Sequence, residues 1–289
     1  MFDRILFPTD GSDGASAAFD HVLDLAADHG ATVHVLNVAD TTHDSVTRIG
    51  GDVVDVLERE GDEIVEAAAD RAADRGVEAV TEVLQGGVAE TIAAYAGEYG
   101  TDLVAMPTRG RTGFDRLLLG STTERVVRAS TVPVLSIRPD GEPARYPYRN
   151  VLVPTDGSER ANDALDRALT LADRAGATVH VLNVVAVGAV GQEGYSGVDA
   201  LVEGAEETVA EAAATAEAAG VEVTETVEVA SSAARGIEAY VDENDVDLVV
   251  MGTQGRTGVE RYLLGSVAER TVRTSRVPVL TVPDPDDGA

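Results

Sequence analysis

Short apolar, β-branched runs alternate with longer amphipathic stretches along the whole chain. Ile5 to Phe7, Thr32 to Val38, Val77 to Leu84, Leu103 to Met106 and Val132 to Ile137 read as strands. Between them, stretches such as Ala15 to His29 and Val53 to Arg75 carry Ala, Val or Leu on one side and acids on the other at helical spacing. Strands that alternate with helices predict a parallel sheet covered on both faces. A second series follows in the same order, with Val221 to Val229 and Leu248 to Met251 as its third and fourth strands.

The second series is a copy of the first. Ile5-Leu6-Phe7-Pro8-Thr9-Asp10-Gly11-Ser12 returns as Val151-Leu152-Val153-Pro154-Thr155-Asp156-Gly157-Ser158, and Ala31 to Val38 returns as Ala177 to Val184, both at an offset of 146. Thr108 to Arg128 matches Thr253 to Arg273 at 14 of 21 positions, and Val132-Pro133-Val134-Leu135 matches Val277-Pro278-Val279-Leu280. A period of this length is a whole domain rather than a solenoid unit. The expected organisation is an α/β chain of two tandem, doubly wound, five-stranded parallel-sheet domains at 1–139 and 149–283. A linker at 140–148, rich in proline, joins them, and an acidic tail at 284–289 follows.

Composition narrows the setting. The 289 residues include 51 acidic and 22 basic side chains, every cation an arginine, for a net charge of −29, and there is no cysteine, tryptophan or lysine. A disulfide-stapled fold is excluded. No apolar run approaches the ~20 residues that cross a bilayer, and Met1-Phe2-Asp3-Arg4 leads into a strand without a signal-peptide core. A soluble, cytoplasmic protein is expected, with no membrane partner. Acids scattered through nearly every helix resemble the composition of salt-in halophiles, because molar salt screens self-repulsion over ~3 Å. Duplex nucleic acid is disfavoured as a partner, since its affinity comes from clustered cations. A small polyanion held by backbone amides is compatible with this charge.

Ligands of open α/β sheets bind beyond the carboxyl ends of the strands, where strand order reverses. Each copy is polar and glycine-rich at two such ends. After strand 1 comes Pro-Thr-Asp-Gly-Ser. After strand 4 comes Met106-Pro107-Thr108-Arg109-Gly110-Arg111-Thr112-Gly113 and then Gly120-Ser121, repeated as Met251-Gly252-Thr253-Gln254-Gly255-Arg256-Thr257-Gly258 and then Gly265-Ser266. Glycines bring amides close to an anion, and a Gly-Ser pair that opens a helix adds free amides and a dipole.

On these motifs the chain resembles a tandem universal stress protein. The nucleotide-binding members of that family carry Gly, two residues, Gly, nine residues, then Gly-Ser or Gly-Thr after strand 4. The second copy matches this spacing through Gly252, Gly255 and Gly265-Ser266, whereas the first has Pro107 at the leading position. The resemblance implies Rossmann-like domains of the adenine nucleotide α-hydrolase type, strand order 3-2-1-4-5, with ATP as ligand, with or without Mg²⁺. It places Asp156 at the ribose or a bridging Mg²⁺, the Val184 backbone at the adenine edge, Gly252 and Gly255 at the ribose and phosphates, and the amides of Gly265, Ser266 and Val267 at the terminal phosphates. Pro154, Thr155 and Met251 complete the site, and Arg256 is a further cationic candidate. The equivalents in the first copy are Pro8, Thr9, Asp10, Val38, Gly110, Arg111, Gly120, Ser121 and Thr122. Pro107 removes an amide and fixes φ near −65°, which ranks the second site above the first.

Plainer roles compete with these. Asp10 and Asp156 precede helices and can assist a cap, as expected of Ser12 and Ser158. Met106 and Met251 fit the core at the ends of their strands, and Arg111 and Arg256 suit solvated loops. His34 and His180 hold matched strand positions but lack further ligands at metal spacing, so packing is expected and no metal site is assigned. Thr41 to Gly51 and Ala186 to Gly197 are candidate lids or simple connectors.

Nothing commits the chain to turnover. A P-loop needs a lysine, a dinucleotide fingerprint would follow strand 1, and no nucleophile motif is present. The leading expectation is a non-enzymatic, ATP-binding regulatory or stress-response protein. The alternatives are a weak ATPase or autophosphorylating protein and a nucleotide-free interaction scaffold. The family resemblance further implies pairing through the last strands, Val132 to Ile137 and Val277 to Val282, as an intrachain pseudo-dimer or a homodimer.

Overall fold

The computed structural model describes residues 2–40, 52–109, 119–139, 144–188, 198–255 and 264–283, with backbone alone for 52–56. The chain divides into two compact units between Tyr146 and Pro147. In the first unit the order is β1 (Arg4–Pro8), α1 (Asp13–His29), β2 (Thr32–Asp40), α2 (Asp52–Asp74), β3 (Ala79–Gly86), α3 (Val88–Glu98), β4 (Leu103–Pro107), α4 (Ser121–Ala129) and β5 (Val134–Ile137). The second unit repeats it as β6 (Asn150–Pro154), α5 (Glu159–Ala175), β7 (Thr178–Ala186), α6 (Val198–Ala218), β8 (Val223–Ala230), α7 (Ala233–Glu243), β9 (Leu248–Gly252), α8 (Ser266–Thr274) and β10 (Val279–Val282).

Within the first unit the strands lie in the order β3-β2-β1-β4-β5, and within the second β8-β7-β6-β9-β10. All these pairings are parallel, with Ile5 beside both Val33 and Leu103 and, in the second unit, Val151 beside both Val179 and Leu248. The central strands β1, β4, β6 and β9 are apolar beyond their first residues because both faces are covered. Ile5, Leu6, Leu103, Leu152 and Leu248 have no accessible surface. The outer strands β3 and β8 are only partly buried and carry Glu82, Glu225 and Glu228, charges that suit a sheet edge.

Helix starts and ends follow local chemistry. Ser12 and Ser158 cap α1 and α5, their Oγ atoms accepting from the amides of Ala15 and Ala161. Gly30 and Gly176 end the same helices at φ 65° and 62°, a conformation glycine adopts without a Cβ penalty. At the far end of each sheet one carboxylate ties two strands together. Oδ2 of Asp102 accepts from the amides of Asp3 and Arg4, and Oδ2 of Asp247 from those of Arg149 and Asn150.

Element boundaries differ from the sequence expectation where apolar residues serve the core without joining the ladder. Val77 and Val221 are buried, yet their amides bond back to Ala72 and Ala216 at the helix ends, so β3 and β8 begin two residues later. Val132 is bonded to Ser130 and Pro133 has no N–H, which delays β5 to Val134. Tyr146, inside the expected linker, lies edge-on to His21 and donates to Asp28 at 2.8 Å. The candidate lid 41–51, residues 189–197 of the other and the tail 284–289 lie outside the described residues. No helix among the described residues is long and apolar enough to cross a membrane.

Candidate functional site

The chain leaves β1 toward β2 on one side while β4 lies on the other, and β6, β7 and β9 repeat that divergence. A crevice opens there in each unit, beyond the carboxyl ends of the strands. In the second unit Pro154, Thr155, Asp156, Val184, Met251, Gly252, Gly255, Gly265, Ser266 and Val267 all border one crevice of about 650 Å³. In the first, Pro8, Thr9, Asp10, Val38, Gly120, Ser121 and Thr122 border one of about 540 Å³. Gly110, Arg111 and Arg256 lie outside the described residues.

The floor of each crevice is a turn in which every side chain holds a following amide. Thr155 Oγ1 accepts from Gly157, Asp156 Oδ1 from Ser158, and Ser158 Oγ from Ala161, at 3.1, 3.1 and 3.3 Å. Thr9, Asp10 and Ser12 repeat the series. Gly11 and Gly157 sit at φ 72° and 73°, which explains a glycine after each aspartate. Asp10 and Asp156 thus shape the turn as well as facing the crevice. The second oxygen of Asp156 points across to the loop after β9: a Cβ on Gly255 would lie 2.6 Å from it.

The opposite rim is a helix start without a side-chain cap. Gly265 precedes α8 in extended conformation and offers no side-chain acceptor, as Gly120 offers none before α4. One expectation is corrected here. The amides of Gly265 and Gly120 donate at 2.8 Å to the carbonyls of Thr253 and Thr108, so neither is available to a ligand. The first intrahelical amide in α8 is that of Glu269, which leaves Ser266, Val267 and Ala268 as donors without an acceptor among the described residues. Ser121, Thr122 and Thr123 are equivalent in α4, where Thr123 Oγ1 also donates to Pro107 O.

A second correction concerns Pro107. Gly252 lies within β9, paired with Val282, and its φ is outside the left-handed region. Pro107 holds the same place in β4, paired with Ile137. The following amides make the same bond in both units, Thr108 to Ile137 O and Thr253 to Val282 O. The proline therefore costs the end of β4 no conformation. What Gly252 provides is room, since a Cβ there would lie 3.0 Å from the carbonyl oxygen of Arg160 at the start of α5. The first unit has Gly14 at the position of Arg160.

Several lining residues escaped the sequence reading. Asn183 and Asn37 each donate through Nδ2 to the carbonyl of the turn threonine, Thr155 or Thr9, at 2.8 Å. Their signal was one polar residue in an apolar strand, repeated in the Val-Leu-Asn-Val of both copies. Thr253, Gln254 and Ile237 border the second crevice, and Asp40, Glu60, Ile64 and Arg109 the first. Met106 and Met251 are both core residues and crevice walls.

His34 and His180 stand apart from both crevices, hydrogen-bonded through Nδ1 to Tyr95 and Tyr240 at 3.0 Å. Burial lowers the pKa of each, helped at His34 by Arg4. Burial, then Glu82 and Tyr99, raise Tyr95 to about 12.

The sequence profile of the Universal stress protein family matches residues 1–138 and again 147–283. The chain is 33% identical over 141 residues to Universal stress protein MJ0531 of Methanocaldococcus jannaschii, covering 48% of this chain and 83% of that one. It is 34% identical over 148 residues to Universal stress protein YxiE of Bacillus subtilis, covering 48% of this chain and all of the relative. Its fold is similar to the crystal structure of a universal stress protein from Archaeoglobus fulgidus, with a TM-score of 0.77, 24% identity and coverage of 98% of this chain and 99% of that one.

Proposed function

The chain belongs to the universal stress protein family, and on that premise we propose that it is a non-catalytic, ATP-binding regulatory protein whose main nucleotide site is the crevice of the second unit. The observation that carries this reading is the uncapped start of α8, whose Ser266, Val267 and Ala268 amides border that crevice with no acceptor among the described residues. Amides left free at a helix start attract phosphate, and the helix dipole adds to the attraction. Two further features support a nucleotide. The volume, about 650 Å³, falls in the range of sites that enclose ligands of that size. The approach of Asp156 to Gly255 closes turn against loop into a cradle with room for glycine alone at that point.

In this reading Val184 offers backbone groups to the adenine edge and Asp156 takes the ribose hydroxyls or a phosphate-bound Mg²⁺. Ser266, Val267 and Ala268 hold the terminal phosphates. Leu182, Ile237 and Met251 give the base an apolar bed. The nucleotide brings its negative charge and, with Mg²⁺, an exchangeable cation. The protein brings preformed donors and needs no lysine. Occupancy regulates only insofar as two states of the protein bind nucleotide with different affinity.

The test is thermal unfolding and titration calorimetry of the full chain in molar KCl with Mg²⁺. Binding at a hundred times Kd stabilises the native state by about 2.7 kcal/mol and raises Tm accordingly. No heat of binding and no rise in Tm at millimolar ATP would overturn the assignment.

A further inference from the structure

The two crevices differ along one wall, and the difference traces to three positions on one helix. In the first unit α2 contributes Leu57, Glu60, Gly61 and Ile64 to the lining, whereas no residue of α6 lines the second. Gly76-Val77-Glu78 aligns with Gly220-Val221-Glu222, and the buried Val65, Ala68 and Ala72 with the equally buried Val209, Ala212 and Ala216. That register sets Glu60, Gly61 and Ile64 against Gly204, Ala205 and Thr208.

At Gly61 α2 packs closely against β2 and β3. A Cβ there would lie 2.8 Å from Asn37 Oδ1 and 2.9 Å from Val83 Cγ1, so the helix holds this position only without a side chain. α6 carries that missing carbon as Ala205. One turn on, Ile64 abuts the β1–α1 turn, 2.8 Å from where a Cβ on Gly11 would be, while Thr208 bonds to Gly204 of its own helix. Two arginines fasten α2 in place. Arg71 donates to Ser16 and Asp20 and lies 5.2 Å over the ring of Phe19, and Arg75 donates to Asp24. Their counterparts in α6 are Thr215 and Ala219, and Thr215 bonds within its own helix. Leu201, the counterpart of the crevice-lining Leu57, is 57% exposed.

Resting on the nucleotide reading above, we infer that positions 60, 61 and 64, with 204, 205 and 208, decide which unit accepts a nucleoside triphosphate. The first unit excludes it because the close approach at Gly61 brings Ile64 and Glu60 to the lining of a crevice that also holds Asp10 and Asp40, three acids against the one cation Arg109 among the described lining residues. Added bulk and like charge on one wall discriminate against a polyanion. The second unit accepts it because α6 adds no residue to the lining of its crevice and Gly204 presents neither bulk nor charge.

The experiment counts ATP per full-length chain by equilibrium dialysis and calorimetry in molar KCl. It compares the natural protein with Glu60→Gly/Gly61→Ala/Ile64→Thr and with the reverse triple variant Gly204→Glu/Ala205→Gly/Thr208→Ile. The expected counts are one, two and none, with circular dichroism reporting that each variant is folded. The reverse variant keeps the test decisive if the first is unstable. Two equal sites in the natural protein, or triple variants that bind like the natural chain, would overturn the inference and leave nucleotide binding intact. Absence of any binding by the natural protein would overturn both.

Discussion

A Cβ placed on Gly255 would sit 2.6 Å from Oδ2 of Asp156, so the loop beyond β9 and the turn beyond β6 meet with no room for a side chain between them. Gly255→Val must push the carboxylate aside and fill the cradle. ATP binding measured by calorimetry should weaken at least tenfold, about 1.4 kcal/mol or more, while far-UV circular dichroism stays unchanged. Retained affinity would show that the nucleotide does not use this contact.

Gly252 and Pro107 occupy one register with opposite requirements. Gly252→Ala drives a methyl against the backbone carbonyl of Arg160, 3.0 Å away, and overpacking of this kind costs about 1–3 kcal/mol. Urea unfolding of the second unit should move to a lower midpoint, its unfolding free energy reduced by that amount. Pro107→Gly alone should leave ATP stoichiometry unchanged, because the proline distorts nothing in β4.

The Asn183 amide holds the carbonyl of Thr155 at 2.8 Å. Asn183→Ala leaves that carbonyl without its donor and should cost about 1–3 kcal/mol in urea unfolding. Asn183→Asp has the same shape but sets a carboxylate against a carbonyl oxygen, so it should cost more. Equal losses would mean that packing, rather than the hydrogen bond, is what Asn183 supplies.

His21 is buried beside Tyr146, and burial pulls its pKa to about 4 despite opposing contributions from Asp24 and the Ala144 backbone. The unfolded chain protonates near 6.5 and the folded one does not, so unfolding is favoured as pH falls from about 6.5 to about 4. The loss reaches about 3 kcal/mol at the lower end, at 1.36 kcal/mol per unit. His34 and His180, whose values are also lowered, act in the same direction. Urea midpoints between pH 7.5 and 4.5 in molar KCl should fall less steeply for His21→Gln than for the natural protein. Identical slopes would remove His21 as the cause.

Much of this was legible because the governing features are local. Alternating runs marked the strands, Ser12 and Ser158 the helix starts, and an internal duplication with fixed spacing separated meaningful loop residues from chance. What stayed hidden depends on distance in sequence. Nothing local says that Gly252 exists to admit the backbone of Arg160, or that Gly61 meets Asn37, since both facts arise from elements packed far along the chain. The Gly265 amide looked free for the same reason: its acceptor, Thr253, belongs to a different loop position that only the fold brings near. Pro107 misled in the other direction, because a residue restricted in φ is no handicap where the chain is already extended.

The turn from Thr155 to Ala161 closes three of its own hydrogen bonds, Thr155 to Gly157, Asp156 to Ser158 and Ser158 to Ala161, and its twin does likewise. Its shape is therefore set when the domain folds and owes nothing to a guest. It behaves as a portable cassette: grafted between another parallel strand and the helix that follows, together with an asparagine on the neighbouring strand to hold the threonine carbonyl as Asn183 does, it should keep its form and aim its aspartate the same way.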